Sequence, residues 1–467
     1  MGLTNLAAFL DGPASEPGRV ALIMDDGAVW SYADLSAEVG RWASTLAEAG
    51  VGAGDVVALA DWGGPRSTAV TLGAAHLGAA TAQMNPLLTA GELAQLAGIA
   101  RCGPVSVPAV VSEPTDGLPP PRAEGGPADA LLLFTSGTTG LPKPVPIAHD
   151  ALIARVGAYR PAYSPERRPG VSLMCVPSFH IGGMLGLLLS LWAGDTVIIQ
   201  PRFDPGRWLE LVATYRPASV FLVPTMLARI LDHPACATTD VSSLAVVSYG
   251  AAAAPVELVR RAMAAWPDAG FANTFGQTET LGAYTTLSPV DHRDPARIGS
   301  VGRPLPGVAV RVVDPATGTD VGADEVGELW VSSPGNVGGD WLQTGDLGRV
   351  DADGFVYPCG RLTDTINRGG EKFGPSEVAA VVGRHPAVAD VAVAGVPDAE
   401  MGERVGVALV PVPGVDPPTL LALREFCRAE LAPFKLPEVL VVVDALPYNE
   451  LGKLPRRVAT RLIEERR

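Results

Sequence analysis

The segment Leu131 to Lys143 reads LLLFTSGTTGLPK, and its residue types suit an anion. An apolar run, read as a strand, ends in Thr135, Ser136, Gly137, Thr138, Thr139 and Gly140, with Lys143 just beyond. Glycine lets backbone approach a ligand closely and adopt positive φ. Successive N–H groups can then form an anion-binding nest. Four hydroxyls add donors and Lys143 adds a positive charge. Together they fit a polyphosphate. The pattern is not the GxxxxGK[ST] P-loop, because Lys143 sits three residues after Gly140 and Pro144 follows it. An ordinary Ser/Thr/Gly turn after a strand is the plain alternative.

TSGTTGLPK resembles the phosphate loop of the adenylate-forming superfamily, which includes acyl-CoA synthetases, adenylation domains of nonribosomal peptide synthetases, and luciferases. The resemblance continues in family order along the whole chain. Asn273-Thr274-Phe275-Gly276-Gln277-Thr278-Glu279 resembles the aromatic-Gly-x-Thr-Glu motif. By that resemblance Thr278 contacts the α-phosphate and Glu279 holds Mg²⁺, as a hard cation prefers carboxylate oxygen. Phe275 would stack on adenine and Asn273 would read its amino edge. Ser248 to Ala252 resembles the small-residue segment beside the adenine and the acyl pocket, which assigns Gly250, Ala251 and Ala252. An Ala-rich helix start is the alternative there. Trp341 to Asp346 resembles the TGD motif, with Asp346 on the ribose, and Gly360-Arg361 resembles the arginine that reaches ribose or phosphate. Pro447 to Lys453 resembles the C-terminal motif whose lysine, here Lys453, bridges the acid and the α-phosphate. Gly369 and Gly370 match the glycine pair lining a pantetheine tunnel, and Thr363 falls at the hinge.

These roles make one chemistry. A carboxylate is a poor electrophile, and its attack on ATP crowds negative charge, so donors, metal and lysine must be placed in advance. The resemblance implies ATP, Mg²⁺ and coenzyme A, with a thioester as product. Val176 to His180 resembles the His-containing motif of acyl- and aryl-CoA synthetases. Amino-acid-activating domains place an Asp where His180 stands, so an acid without an α-ammonium is expected. His180, Gly183, Ala251 and Gly276 are the expected acyl-pocket residues, although a pocket-wall histidine with satisfied bonds is an equal reading of His180. A carrier protein's phosphopantetheine is the rival acceptor, and an unusual small or non-carboxylic acid the rival substrate. A silent nucleotide-binding scaffold is disfavoured by Lys143, Glu279, Asp346, Arg361 and Lys453 standing together. The chain departs from the family at Pro144 (commonly Gly), Ala253 (commonly Pro) and Thr363 (commonly Asp or Lys), and two segments are short, 103–129 and 333–341.

The elements that must position these residues are legible as periodicity. Short apolar runs at Asp55 to Ala60 and Thr196 to Gln200 alternate with longer helical stretches such as Tyr32 to Ala49. That pattern gives α/β architecture with largely parallel sheets. From about Ile298 to Tyr357 short Val-rich strands are punctuated by Gly, Pro and Asp, a small β-rich subdomain. The expected organisation is an N-terminal domain over residues 1–360 with two α/β subdomains and the β-rich unit at about 298–357, a hinge at 361–364, and a mobile α+β lid at 365–467. Ile181 to Ile199 reads as a buried helix and strand rather than a membrane span, since glycines and Asp195 interrupt it.

Composition closes off other classes. The 467 residues carry a net charge of −15, without the basic face a nucleic-acid binder needs. Five scattered cysteines and no CxxC argue against a disulfide framework or zinc site. The first residues show no signal-peptide pattern, so a cytoplasmic monomer or homodimer is expected.

Overall fold

The computed structural model describes residues 4–11, 16–102, 106–107, 114–115, 117–136, 142–158, 169–333, 336, 340–369, 371–449 and 453–467. Its frame is two parallel-rich sheets. The larger has nine strands. Six of them run parallel: Gly270–Gln277, Val246–Gly250, Ser219–Leu222, Val171–Met174, Thr196–Ile199 and Val20–Met24, in that spatial order. The second has five strands, with Asp129–Ser136 beside Ala80–Met84 and Pro142–Ala148 on its edge.

Helices fill the space between the two sheets. Tyr32–Glu48 starts at a capping box formed by Ser31 and Asp34. It crosses Pro65–His76 closely, with Trp42, Ala43 and Leu46 buried at the contact. A Cβ on Gly73 would lie 3.0 Å from the Ala43 nitrogen and 3.1 Å from the Trp42 Cβ. Glycine therefore sets how near the two helices come. Ile181–Trp192 joins the same core through Leu187, Leu188 and Leu191, and Thr196–Ile199 follows it as a strand. Among the described residues no helix is long and apolar enough to cross a membrane.

Ala309–Val313, Gly327–Ser332, Leu342–Val350 and Val356–Arg361 form a separate antiparallel sheet. The sequence places the β-rich unit at about 298–357. Its strands instead start at Ala309 and reach Arg361, because Arg303–Pro304 pairs with Gly282–Leu287 and extends the large sheet. The smaller C-terminal domain is a mixed sheet centred on Gly402–Pro411 and Val388–Asp398, packed by Pro375–Val382, Leu420–Cys427 and Arg456–Arg466. All five cysteines are free thiols.

Gly73→Val should overpack the helix crossing and lower stability by about 1–3 kcal/mol. A drop in the melting temperature checks this, and an unchanged melting curve would show that the helices separate freely.

Candidate active site

The carboxyl ends of parallel strands are where α/β sheets present ligand sites, and the chemistry-bearing residues gather there. Asp129–Ser136 ends in Thr135, which pairs in register with Lys143 across a hairpin. Lys143 shares a strand face with the buried Val145 and Ile147 but is itself exposed. Pro142, Pro144 and Pro146 occupy the alternate positions of this edge strand. Proline lacks an N–H, so it fits only where the donor would face away from the ladder. Pro144 therefore costs no sheet hydrogen bond. Residues 137–140 of the expected phosphate loop lie outside the described residues, as does the side chain of Ser136.

Gly270–Gln277 ends in the turn Thr278–Thr280. A Cβ on Gly276 would lie 2.0 Å from the Gly282 carbonyl oxygen, so this hairpin closes only on glycine. The turn sends Glu279 toward the five-stranded sheet, where its Oε1 accepts from the Thr135 hydroxyl at 3.3 Å. Two motifs far apart in sequence thus share one cleft. Beside them, Val246–Gly250 ends against Thr274. A Cβ on Gly250 would lie 2.1 Å from the Thr274 carbonyl oxygen. Ala251 then takes φ +65°, a left-handed turn seldom used by non-glycine residues, which carries Ala252 away from the strand.

The antiparallel sheet brings the third component. Gln277 Nε2 donates to the Thr344 carbonyl at 3.2 Å. The Thr344 hydroxyl donates to the Leu329 carbonyl at 2.6 Å, and Gly345, at φ +70°, donates its N–H to Glu328. This turn buries Asp346, which accepts from Arg361 Nε at 2.9 Å. Burial raises the Asp346 carboxyl above its ordinary pKa, while Arg361 and Lys453 oppose the rise.

Lys453 comes from the C-terminal domain. Its N–H donates to Asn449 Oδ1 at 2.8 Å and its carbonyl accepts from the Asn449 N–H at 2.9 Å, which closes the loop that carries it. The ammonium is solvent-accessible yet enclosed enough that desolvation lowers its pKa, aided by Arg361 and opposed by Asp346 and Glu279. His180 lies within electrostatic reach of the same ammonium. Burial, then Lys453, pushes its imidazole down to about 4, so it is neutral at pH 7. His180 also packs on Phe179, with ring centroids 4.5 Å apart, and Phe179 packs on Trp62. Among the described residues no group of three or more His, Cys, Asp or Glu forms a ready metal cage. A cation here would depend on Glu279, the Thr135 hydroxyl and ligand oxygens.

Several expected site residues have a second physical reason for their type. A Cβ on Gly183 would lie 2.2 Å from the Pro177 carbonyl oxygen, so glycine there serves a close helix–loop contact rather than an opening for ligand. Phe275 packs edge-on against Tyr284, centroids 5.2 Å apart. Gly369 takes φ +60° against Met401, and Gly370 lies outside the described residues. Thr363 Oγ1 donates to Asp364, and the Thr363 carbonyl accepts from Arg456 Nη1 at 2.7 Å. Arg456 also pairs with Glu403, whose other oxygen accepts the Asn367 N–H. Sequence reading gave no role to Arg456, Glu403, Tyr249, His292 or Tyr284: Tyr249 stands in the 248–252 stretch among small residues, and the others lie outside every motif.

The family description "AMP-binding enzyme" matches residues 9–105 and 98–341, and "AMP-binding enzyme C-terminal domain" matches 377–453. The chain belongs to the AMP-binding enzyme family. It is 30% identical to a fatty acid–[acyl-carrier-protein] ligase of Streptomyces coeruleorubidus over 95% of this chain and 93% of that protein. It is 32% identical to a feruloyl-CoA synthase of Amycolatopsis over 92% of this chain and 93% of the relative. An amide bond synthetase from Marinactinospora thermotolerans superposes with TM-score 0.87 at 28% identity, covering 98% of this chain and 99% of that one. The shared activity of such ligases is adenylate formation, while the acceptors in their names differ.

His180 supplies a test of this cleft's electrostatics. Its folded pKa of about 4 lies below the ordinary 6.5. The unfolded chain therefore binds the extra proton between those values. Stability is complete above about pH 6.5 and declines as pH falls toward 4. His180→Asn should flatten that decline in urea titrations, and equal slopes for the two proteins would contradict the buried neutral imidazole.

Proposed function

We propose that this protein uses ATP to convert a small-molecule acid into an acyl-adenylate and then passes the acyl group to coenzyme A. The observation that carries the reading is the arrival of Lys453 from the C-terminal domain among Glu279, Asp346, Arg361 and His180. Positive charge placed beside a phosphate site is what the first step needs. The acid's carboxylate oxygen bonds to the α-phosphorus, the bond to pyrophosphate breaks, and charge builds on both sides. An ammonium fixed between the reactants orients them and stabilises that charge without reorganisation. Glu279, beside the Thr135 hydroxyl, would hold Mg²⁺, which would supply positive charge to offset that of the phosphates. Asp346 would accept the ribose hydroxyls. Lys143 would face the departing pyrophosphate.

In the second step a thiolate bonds to the acyl carbon and the bond to AMP breaks. Lys453 must first withdraw, which calls for the lid to turn about 361–364. The Arg456 contacts to the Thr363 carbonyl and to Glu403 favour the lysine-in arrangement. A neutral His180 in place of a carboxylate supports an acid lacking an α-ammonium. Transfer to a carrier-protein phosphopantetheine is the second reading. It is favoured by the 30% identity to an acyl-carrier-protein ligase along nearly the whole chain.

Lys453→Ala should reduce acid-dependent pyrophosphate release on the order of 10²- to 10³-fold, the usual scale for losing one preorganised charge. Thioester formation from supplied acyl-adenylate should persist. Near-normal pyrophosphate release would remove Lys453 from its role. Arg456→Ala should slow the first half-reaction on the order of tenfold, the worth of one charge-assisted hydrogen bond, and spare the second; equal loss in both would reject the latch. Glu279→Gln should raise the Mg²⁺ concentration needed for half-maximal rate. A screen of small, aromatic and fatty acids, each with coenzyme A or a pantetheinylated carrier, assigns substrate and acceptor, and activity in no combination would refute the proposal.

A further inference from the structure

The helix His149–Ala158 carries a charge on its inner face. It follows directly from the edge strand Pro142–Ala148, which holds Lys143. His149, Leu152 and Val156 are buried along it at helical spacing, and Arg155 is buried with them at 2% exposure. Arginine is seldom enclosed unless its donors are engaged. The Arg155 Nε donates to the Leu281 carbonyl oxygen at 3.1 Å, across 126 positions of the chain.

Leu281, at the far end of that bond, has an unusual backbone. It takes φ +51°, a left-handed conformation in which a bulky side chain meets steric resistance. It closes the turn Thr278–Thr280, since its N–H donates to the Thr278 carbonyl at 3.0 Å. It also lies just outside the ladder between Gly270–Gln277 and Gly282–Leu287, whose last pair is Gln277 with Gly282. A side chain, that of Arg155, meets its carbonyl there. Two residues earlier stands Glu279.

The turn is thus tied to the phosphate-loop hairpin at front and back. In front, the Thr135 hydroxyl donates to Glu279 at 3.3 Å, a long bond from a neutral donor. Behind, a cationic donor meets a carbonyl out of water. Charge-assisted bonds are the stronger kind, and a low dielectric strengthens them further. A ligand entering the cleft can compete for the Thr135 hydroxyl, but it cannot reach the buried bond.

We propose that Arg155 is a positioning residue: its bond to Leu281 fixes the 278–281 turn against the helix that springs from the Lys143 strand, and so sets where the Glu279 carboxylate meets a metal–nucleotide complex. This rests on the reading of Glu279 as the residue that holds Mg²⁺. Without the bond, Leu281 relaxes from its left-handed backbone and the carboxylate shifts with it. The nucleotide keeps its other contacts, so the loss falls on metal affinity.

The test measures Mn²⁺ binding by electron paramagnetic resonance to the full chain holding α,β-methylene-ATP, which cannot release pyrophosphate. Calorimetry gives the affinity for the same analogue without metal. Arg155→Met keeps the length of the side chain and removes its donors and charge. It should weaken Mn²⁺ binding on the order of tenfold, the scale of one charge-assisted hydrogen bond, and change metal-free affinity less than about twofold. If the methionine variant does not fold, Arg155→Gln, with a neutral donor, reads the same two affinities. An arginine that merely supports the fold would weaken both alike, so equal losses, or no loss of Mn²⁺ affinity, overturn the proposal. Glu279→Gln is the control. Weakened Mn²⁺ binding there with none in the Arg155 variants removes Arg155 alone, whereas unchanged Mn²⁺ binding there removes the metal reading of Glu279 with it.

Discussion

The cleft depends on one electrostatic constraint: a partly enclosed ammonium, that of Lys453, has to stand near carboxylates. Partial desolvation lowers the Lys453 pKa, and Asp346 and Glu279 favour its charged form. Each carboxylate in turn depends on a fixed neighbour, Arg361 for Asp346 and the Thr135 hydroxyl for Glu279. Partially desolvated charges attract more strongly than exposed ones, so moving any member changes the energy of the others. Arg361 and Lys453 bring positive charge among these carboxylates, and Lys143 stands exposed on the edge strand opposite Thr135. A neutral His180 completes the set by adding no charge of its own.

Backbone geometry carries these charges to one place. Two sheets present their carboxyl ends to a shared cleft, and the antiparallel sheet leans in through the Gln277 to Thr344 hydrogen bond. Tight contacts at Gly250, Gly276 and Gly183 leave no room for a Cβ. Such positions fix the direction in which Thr278, Glu279 and the 249–252 segment leave their strands. The fold therefore stores precision in turns rather than in the sheets, which any apolar alternation would build.

Much of this was legible in the sequence because periodicity and punctuation are local. Thr196–Ile199 and the helix Tyr32–Glu48 lie within a residue of their expected limits. The α/β class followed from the same alternation. The β-rich unit was misplaced at its start because Arg303–Pro304 is short and its pairing with Gly282–Leu287 is a tertiary fact. Motif stretches located the charged residues of the cleft. They did not reveal that Gly183 answers to a carbonyl oxygen, which only coordinates in space can show. Arg155 escaped for a related reason: an arginine within a helical stretch looks like a solvated surface group until its burial and its hydrogen bond are followed.

The three alternating prolines of Pro142–Ala148 have an effect beyond accommodating the loop beside them. A rim strand ordinarily offers a ladder of open donors to any extended chain that drifts by, and such templating is a route to aggregation. Here every second position of that rim has no hydrogen to give. The strand can stand at the rim of its sheet without recruiting a neighbouring polypeptide as an extra strand.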